Sequence, residues 1–141
     1  SLVSSFFFIK SNFIKDLNGE FSKKLVLPKE IKKNFNSIER ILIPTNLDYI
    51  RMYTGLPIFI DWKHHAFRFD QLIEWRQRMD LANEFYSSKN IKAQSKTLEE
   101  IQKIEDISHI LIRRDKLKID CDDLINHEKF ILVSVKDCYE N

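Results

Sequence analysis

Glycine is almost missing from this sequence: there are two in 141 residues, with only three prolines and two cysteines. That scarcity excludes a glycine-rich phosphate cradle and a collagen repeat. It also argues against a disordered chain or a turn-dense all-β fold. Cys121 and Cys138 belong to no C-x-x-C or Cys/His spacing, so two free thiols are expected unless the compartment is oxidising. Charge of one sign is also lacking. The net charge is +2, and the densest basic stretches, Lys29 to Lys33 and Arg113 to Lys118, each contain an acid. They read as solvated faces, and no nucleic-acid partner is expected. No run approaches the roughly 20 apolar residues that span a bilayer. The longest candidate, Leu2 to Ile9, also lacks the charged start and cleavage site of a signal peptide. It reads as a buried first strand or as the trimmed end of a membrane segment.

What is present suits one folded unit. The hydrophobic fraction is 43% and the charged fraction 31%, enough for a core and a wet surface over 1–141. Pro28 is placed in the first turn of a helix that carries Ile31, Phe35 and Ile38 on one face and runs to about Glu39. Arg40 to Pro44 reads as a short buried strand. Thr45 and Asp48 have the spacing of a capping box for a second helix, closed by Gly55 with Pro57 beyond. Pro57 to Asp61 is a second strand candidate. A long helix from Asp70 to Tyr86 follows, with Leu72, Trp75, Met79, Ala82 and Tyr86 as its inner stripe and Glu74 paired to Arg78. Ser87 to Ser95 reads as a loop, and Thr97 with Glu100 as the cap of another helix bearing Leu98, Ile101 and Ile104. Ile107 to Ile112, Lys116 to Ile119 and Lys129 to Val135 are further strand candidates. Residues 10–26 receive no assignment. Alternating helices and strands imply an α/β fold, a mostly parallel sheet flanked by helices. The last two strands are open to pairing as an antiparallel hairpin at the C-terminal edge.

In such sheets ligands sit beyond the carboxyl ends of the strands. Pro44-Thr45-Asn46 leads into a helix N-terminus that suits a carboxylate or phosphate, but self-capping by Thr45 and Asp48 is the simpler reading. Asp61-Trp62-Lys63-His64-His65 is the densest group of functional side chains in the chain. A metal is not expected there, because no third or fourth ligand accompanies the histidines, and no cofactor motif occurs anywhere. Asp61 is expected to be structural, held by loop N–H groups or by a cation such as Arg51. The alternative is a small hydrolase or transferase using Asp61 with His64 or His65 as acid and base. Tyr49, Tyr53, Trp62 and Trp75 read as core packing before they read as a sugar surface. His109, flanked by apolar residues, reads as a hydrogen-bonded core histidine.

The segment Ile41 to about Tyr86 carries Arg51, Tyr53, Gly55 and the Asp61-Trp62-Lys63 tripeptide, with Ile-Glu-Trp at 73 to 75. It resembles a soluble domain of unknown function at the C-terminus of polytopic bacterial membrane proteins, whose membrane part is similar to lipid-linked-sugar glycosyltransferases. His64 and His65 depart from the small or turn residues usual at that point. The resemblance implies a fragment of a longer, transmembrane protein, on the extracytoplasmic (periplasmic) face. It implies a binding or scaffolding role without chemistry of its own. The partners would be the membrane-embedded part of the same chain and, through it, a glycan or lipid-linked sugar. Arg51, Asp61, Trp62, Lys63, His64 and His65 are then the candidate ligand or interface residues.

Overall fold

The computed structural model describes residues 23–62, 68–125 and 127–139. Helix α1 covers 23–32 and is followed by a 3-10 turn, Phe35–Ser37. Then come β1 (Ile41–Leu42), α2 (Tyr49–Thr54), α3 (Phe69–Ser87), α4 (Ile91–Ile104), β2 (His109–Arg113), β3 (Phe130–Ser134) and α5 (Val135–Tyr139).

The sheet has the order β1-β2-β3, with β1 parallel to β2 and β2 antiparallel to β3. This corrects the expectation of a mostly parallel sheet, since one pair alone among the three strands is parallel. A parallel neighbour needs a long crossover, and only the β1-to-β2 connection, which carries α2, α3 and α4, supplies one. Among the described residues from Arg114 to Lys129 there is no helix, and β3 returns alongside β2 in the opposite sense. The antiparallel pairing was expected with Lys116 to Ile119, but the partner is β2. The second strand candidate, Pro57 to Asp61, reduces to one parallel bridge between Ile58 and Ile41. Ile41 N donates to Pro57 O and Phe59 N to Ile41 O, both at 3.0 Å, and the pairing goes no further.

Alternation along the strands builds two cores. Ile110 and Ile112 of β2, with Leu42, Ile131 and Val133, face Met79, Ala82, Phe85, Leu98 and Ile101 of α3 and α4. Leu111, Ile41, Ile43 and Leu132 point the other way, toward Leu27 and Ile31 of α1 and Ile50 of α2. The fold is thus a mixed α/β one, with helices against both faces of a small three-stranded sheet. Buried aliphatic side chains of this size each contribute about 1.5–3 kcal/mol.

Several local expectations change. Helical backbone already runs from 23, so Pro28 lies inside α1, and α1 ends at 32, which leaves Phe35 in the 3-10 turn and 46% exposed. The Thr45–Asp48 capping box does not form. Asp48 makes no capping bond, and Thr45 Oγ1 donates instead to Asn83 Oδ1 on α3 at 3.0 Å. Gly55 does close α2, with φ 65° and its N–H on Arg51 O. In α3 Phe85 is fully buried, Leu72 is 44% exposed and Asp70 pairs with Arg68 instead of capping. Glu74 pairs with Arg78 as expected. The loop read at 87–95 ends at Asn90, whose side chain caps α4 through Ala93 N at 2.9 Å. Thr97 is mid-helix and bonds Ala93 O. Leu2 to Ile9 lies outside the described residues.

Two ties hold the long β2-to-β3 connection. Gln94, fully buried in α4, donates from Nε2 to Phe85 O and Lys116 O and accepts Lys118 N and Ile119 N on Oε1. Its four hydrogen-bonding sites are all used, and they fix 116–119 as a strapped turn, not a strand. The second tie is a disulfide between Cys121 and Cys138, where free thiols were expected. It pins the connection to α5 across a separation of 17 residues, worth about 3 kcal/mol in chain-entropy terms.

Candidate functional site

At the carboxyl end of the 57–61 segment, Asp61 is completely buried. Arg51, one turn before the end of α2, donates from Nε to Asp61 Oδ2 at 2.9 Å. Gly55 and Pro57 turn the chain back between them, which is why residues ten apart meet. Trp62 N donates to Thr45 O at 3.2 Å and anchors the start of the following loop. The Trp62 ring is 53% exposed and meets the edge of Trp75 with centroids 6.3 Å apart. Arg51, Asp61 and Trp62 are thus neighbours, while Lys63, His64 and His65 lie outside the described residues. Chemically, a carboxylate with no solvent contact that is already held by a guanidinium is poorly placed to shuttle protons to a substrate.

Beside Trp62, the first turns of α3 present Phe69 (80% exposed), Leu72 and Ile73 (59% exposed) to water. Scattered exposed apolar residues are ordinary, whereas these three share one face of the helix.

Deeper in the α3–α4 layer, Arg78 joins Glu74 and Glu105, and Glu105 also takes Arg40 at the entry to β1. Arg78 further stacks over the Phe59 ring, 5.1 Å from its centroid. This network ties α3 and the end of α4 to the entry of β1.

At the opposite edge of the sheet, the amino ends of β1 and β2 border a cleft of about 910 Å³. Ser108 and His109 sit at its base, with Glu39, Asp106, Leu124 and Val135 among its walls. Ser108 Oγ receives Glu39 N and Arg40 N at 3.0 and 3.1 Å and lies 2.9 Å from His109 Nδ1. The hydroxyl is saturated by these contacts, so Ser108 is a clamp on the β1 entry and not a nucleophile. His109 is 5% exposed, as the sequence implied, and burial lowers its pKa below the ordinary 6.5, outweighing the raising influence of Asp137 and Glu39. The sign of the linkage follows: the unfolded chain binds the proton first, so this stability is complete above about 6.5 and lost as pH falls. Denaturant midpoints measured from about pH 7 to about pH 5 should fall more in the wild type than in His109→Asn. Sequence reasoning searched only the carboxyl ends of the strands and passed over this cleft. The signal available was a serine–histidine pair opening a strand.

Among the described residues, no group of three or more His, Cys, Asp or Glu is gathered to hold a metal ion, and no helix is long and apolar enough to cross a membrane.

Residues 29–82 match a family described as a domain of unknown function, DUF6798. The match takes in β1, α2, the Arg51–Asp61 pair and most of α3, and leaves α4, β2 and β3 outside it. No curated protein and no solved structure matches the chain.

Proposed function

We propose that the chain is an extracytoplasmic accessory domain of a membrane protein. It binds or scaffolds a glycan or lipid-linked sugar, while transfer chemistry belongs to the membrane-embedded part of the same protein. The observation that carries the compartment is the Cys121–Cys138 disulfide, because such bonds persist in oxidising spaces and are rare in the cytosol. The sequence resemblance of 41–86 supplies the membrane context and the sugar class. The buried Arg51–Asp61 pair supports a non-catalytic role, since it withdraws the carboxylate that the hydrolase or transferase alternative requires. The Trp62, Phe69, Leu72 and Ile73 surface suits docking against the membrane part of the chain.

Protease treatment of spheroplasts carrying the full-length protein tests this placement. The domain should be cleaved without permeabilising the membrane. Protection until the membrane is lysed would put the domain on the cytoplasmic side and overturn the reading.

A further inference from the structure

We propose that the cleft at the amino ends of β1 and β2 binds an uncharged, hydroxyl-rich ligand of sugar-ring size, with the His109 Nε2–H group as its central donor. The inference deepens the sugar-binding part of the proposed function by naming a site for it. Its failure would leave the extracytoplasmic placement standing, because the cleft lies at the opposite end of the strands from Asp61 and would bind alike on either side of a membrane.

Proton counting at Ser108 assigns the donor. Its Oγ accepts two backbone N–H groups, from Glu39 and Arg40, which uses both lone pairs. One hydroxyl proton remains, with His109 Nδ1 and Arg40 O each 2.9 Å away. Arg40 O already accepts the N–H groups of Ser108 and His109. If the proton went there, Nδ1 would have to carry its own hydrogen and Oγ would have to accept a third. The hydroxyl proton therefore goes to Nδ1, and the neutral ring carries its hydrogen on Nε2. Burial keeps the ring neutral. No described residue hydrogen-bonds Nε2, so a residue that is 95% buried and lines the cleft keeps a ring N–H that no described group takes up.

The surroundings select the ligand. The side chains of Glu39 and Asp106 on the rim make no ion pair or hydrogen bond with a described residue and offer acceptors for hydroxyl groups. Glu99 joins these acids in the lining and Lys103 and Lys136 oppose them, so the cleft carries both signs and lacks the one-signed field that an ionic ligand would need. Ile107, Leu124 and Val135 give the wall an apolar surface for C–H groups. The size, about 910 Å³, falls within the range of small-molecule sites, about 300–1,000 Å³.

Long-range ¹H–¹⁵N spectra of the imidazoles in the 141-residue chain test the assignment and the ligand together. Above neutral pH, His109 should carry its proton on Nε2. N-acetylglucosamine, titrated to tens of millimolar, should shift His109 and the amides of Ser108 and Val135 saturably, whereas glucuronate and glucosamine should not. Ser108→Ala should free the tautomer and weaken binding about fivefold, the scale of one hydrogen bond. If Ser108→Ala does not fold, Glu39→Gln on the exposed rim serves instead, with a loss of the same size expected. A proton on Nδ1, no saturable shift with N-acetylglucosamine, a stronger response to either charged sugar, or full affinity in the variant that folds would each overturn the proposal.

Discussion

Replacing Arg51 with Met should lower the unfolding free energy of the chain by about 3–5 kcal/mol, read as a shift in denaturant midpoint at unchanged slope. The reason is an asymmetry within the pair. Asp61 has no solvent contact, whereas the Arg51 side chain is 35% exposed. Losing the guanidinium takes a cation from a carboxylate that water does not reach, and restoring hydration would require the 57–61 segment to leave Ile41. Asp61→Asn should cost less, since the guanidinium it releases can turn toward water. Arg51→Lys should fall between, because an ammonium keeps the charge but loses the planar N–H geometry that meets the carboxylate. Equal, near-zero effects for Arg51→Met and Asp61→Asn would remove the structural role from this pair and return it to the candidate catalytic groups.

The other large effect is expected at Gln94. Gln94→Glu sets a carboxylate against the carbonyl oxygens of Phe85 and Lys116 inside the fold, replacing two donated bonds with two repulsions. An uncompensated buried charge of this kind costs about 3–5 kcal/mol. The introduced group regains one donor when protonated, so the variant should recover part of its stability as pH falls. That slope opposes the one expected from His109, which separates the two effects in a single pH series. Gln94→Met controls for the lost hydrogen bonds without the charge. It should unfold in between, showing no recovery on acidification beyond that of the wild type.

Gln94 also shows why part of the fold was not legible in the sequence. The polar run 87–95 looks like a loop because Ser87, Ser88, Lys89 and Asn90 favour turns, yet Asn90 is among the best N-caps and starts α4 there. A glutamine that spends all four hydrogen bonds on chain segments nine to 25 residues away leaves no local pattern. Strand direction was hidden for a similar reason. Ile107 to Ile112 and Lys129 to Val135 were readable as strands from their apolar runs, but direction is set by the connection between them. That connection is fixed by Gln94 and the disulfide, both nonlocal. Thr45 illustrates a competing contact. Its spacing to Asp48 satisfies the capping rule, and a tertiary partner, Asn83, took the hydroxyl instead.

The candidate site was legible where chemistry is local. Gly55 as a left-handed cap and the Asp61–Arg51 pairing both follow from residues within a dozen positions of one another. The cleft at Ser108 and His109 was not, because its walls come from Glu39, Asp106, Leu124 and Val135, which only the assembled sheet brings together.

The proposed extracytoplasmic placement leans most on the Cys121–Cys138 bond, and the state of that bond in cells is the most direct measurement. Cells producing the full-length protein are quenched in acid, and free thiols are alkylated with a mass-tagged maleimide before and after reduction. Cys121 and Cys138 should take up the tag only after reduction, in every molecule that has reached its mature location. Two thiols tagged before reduction in the mature protein would mean a reducing compartment. They would contradict the placement of this domain outside the cytoplasm.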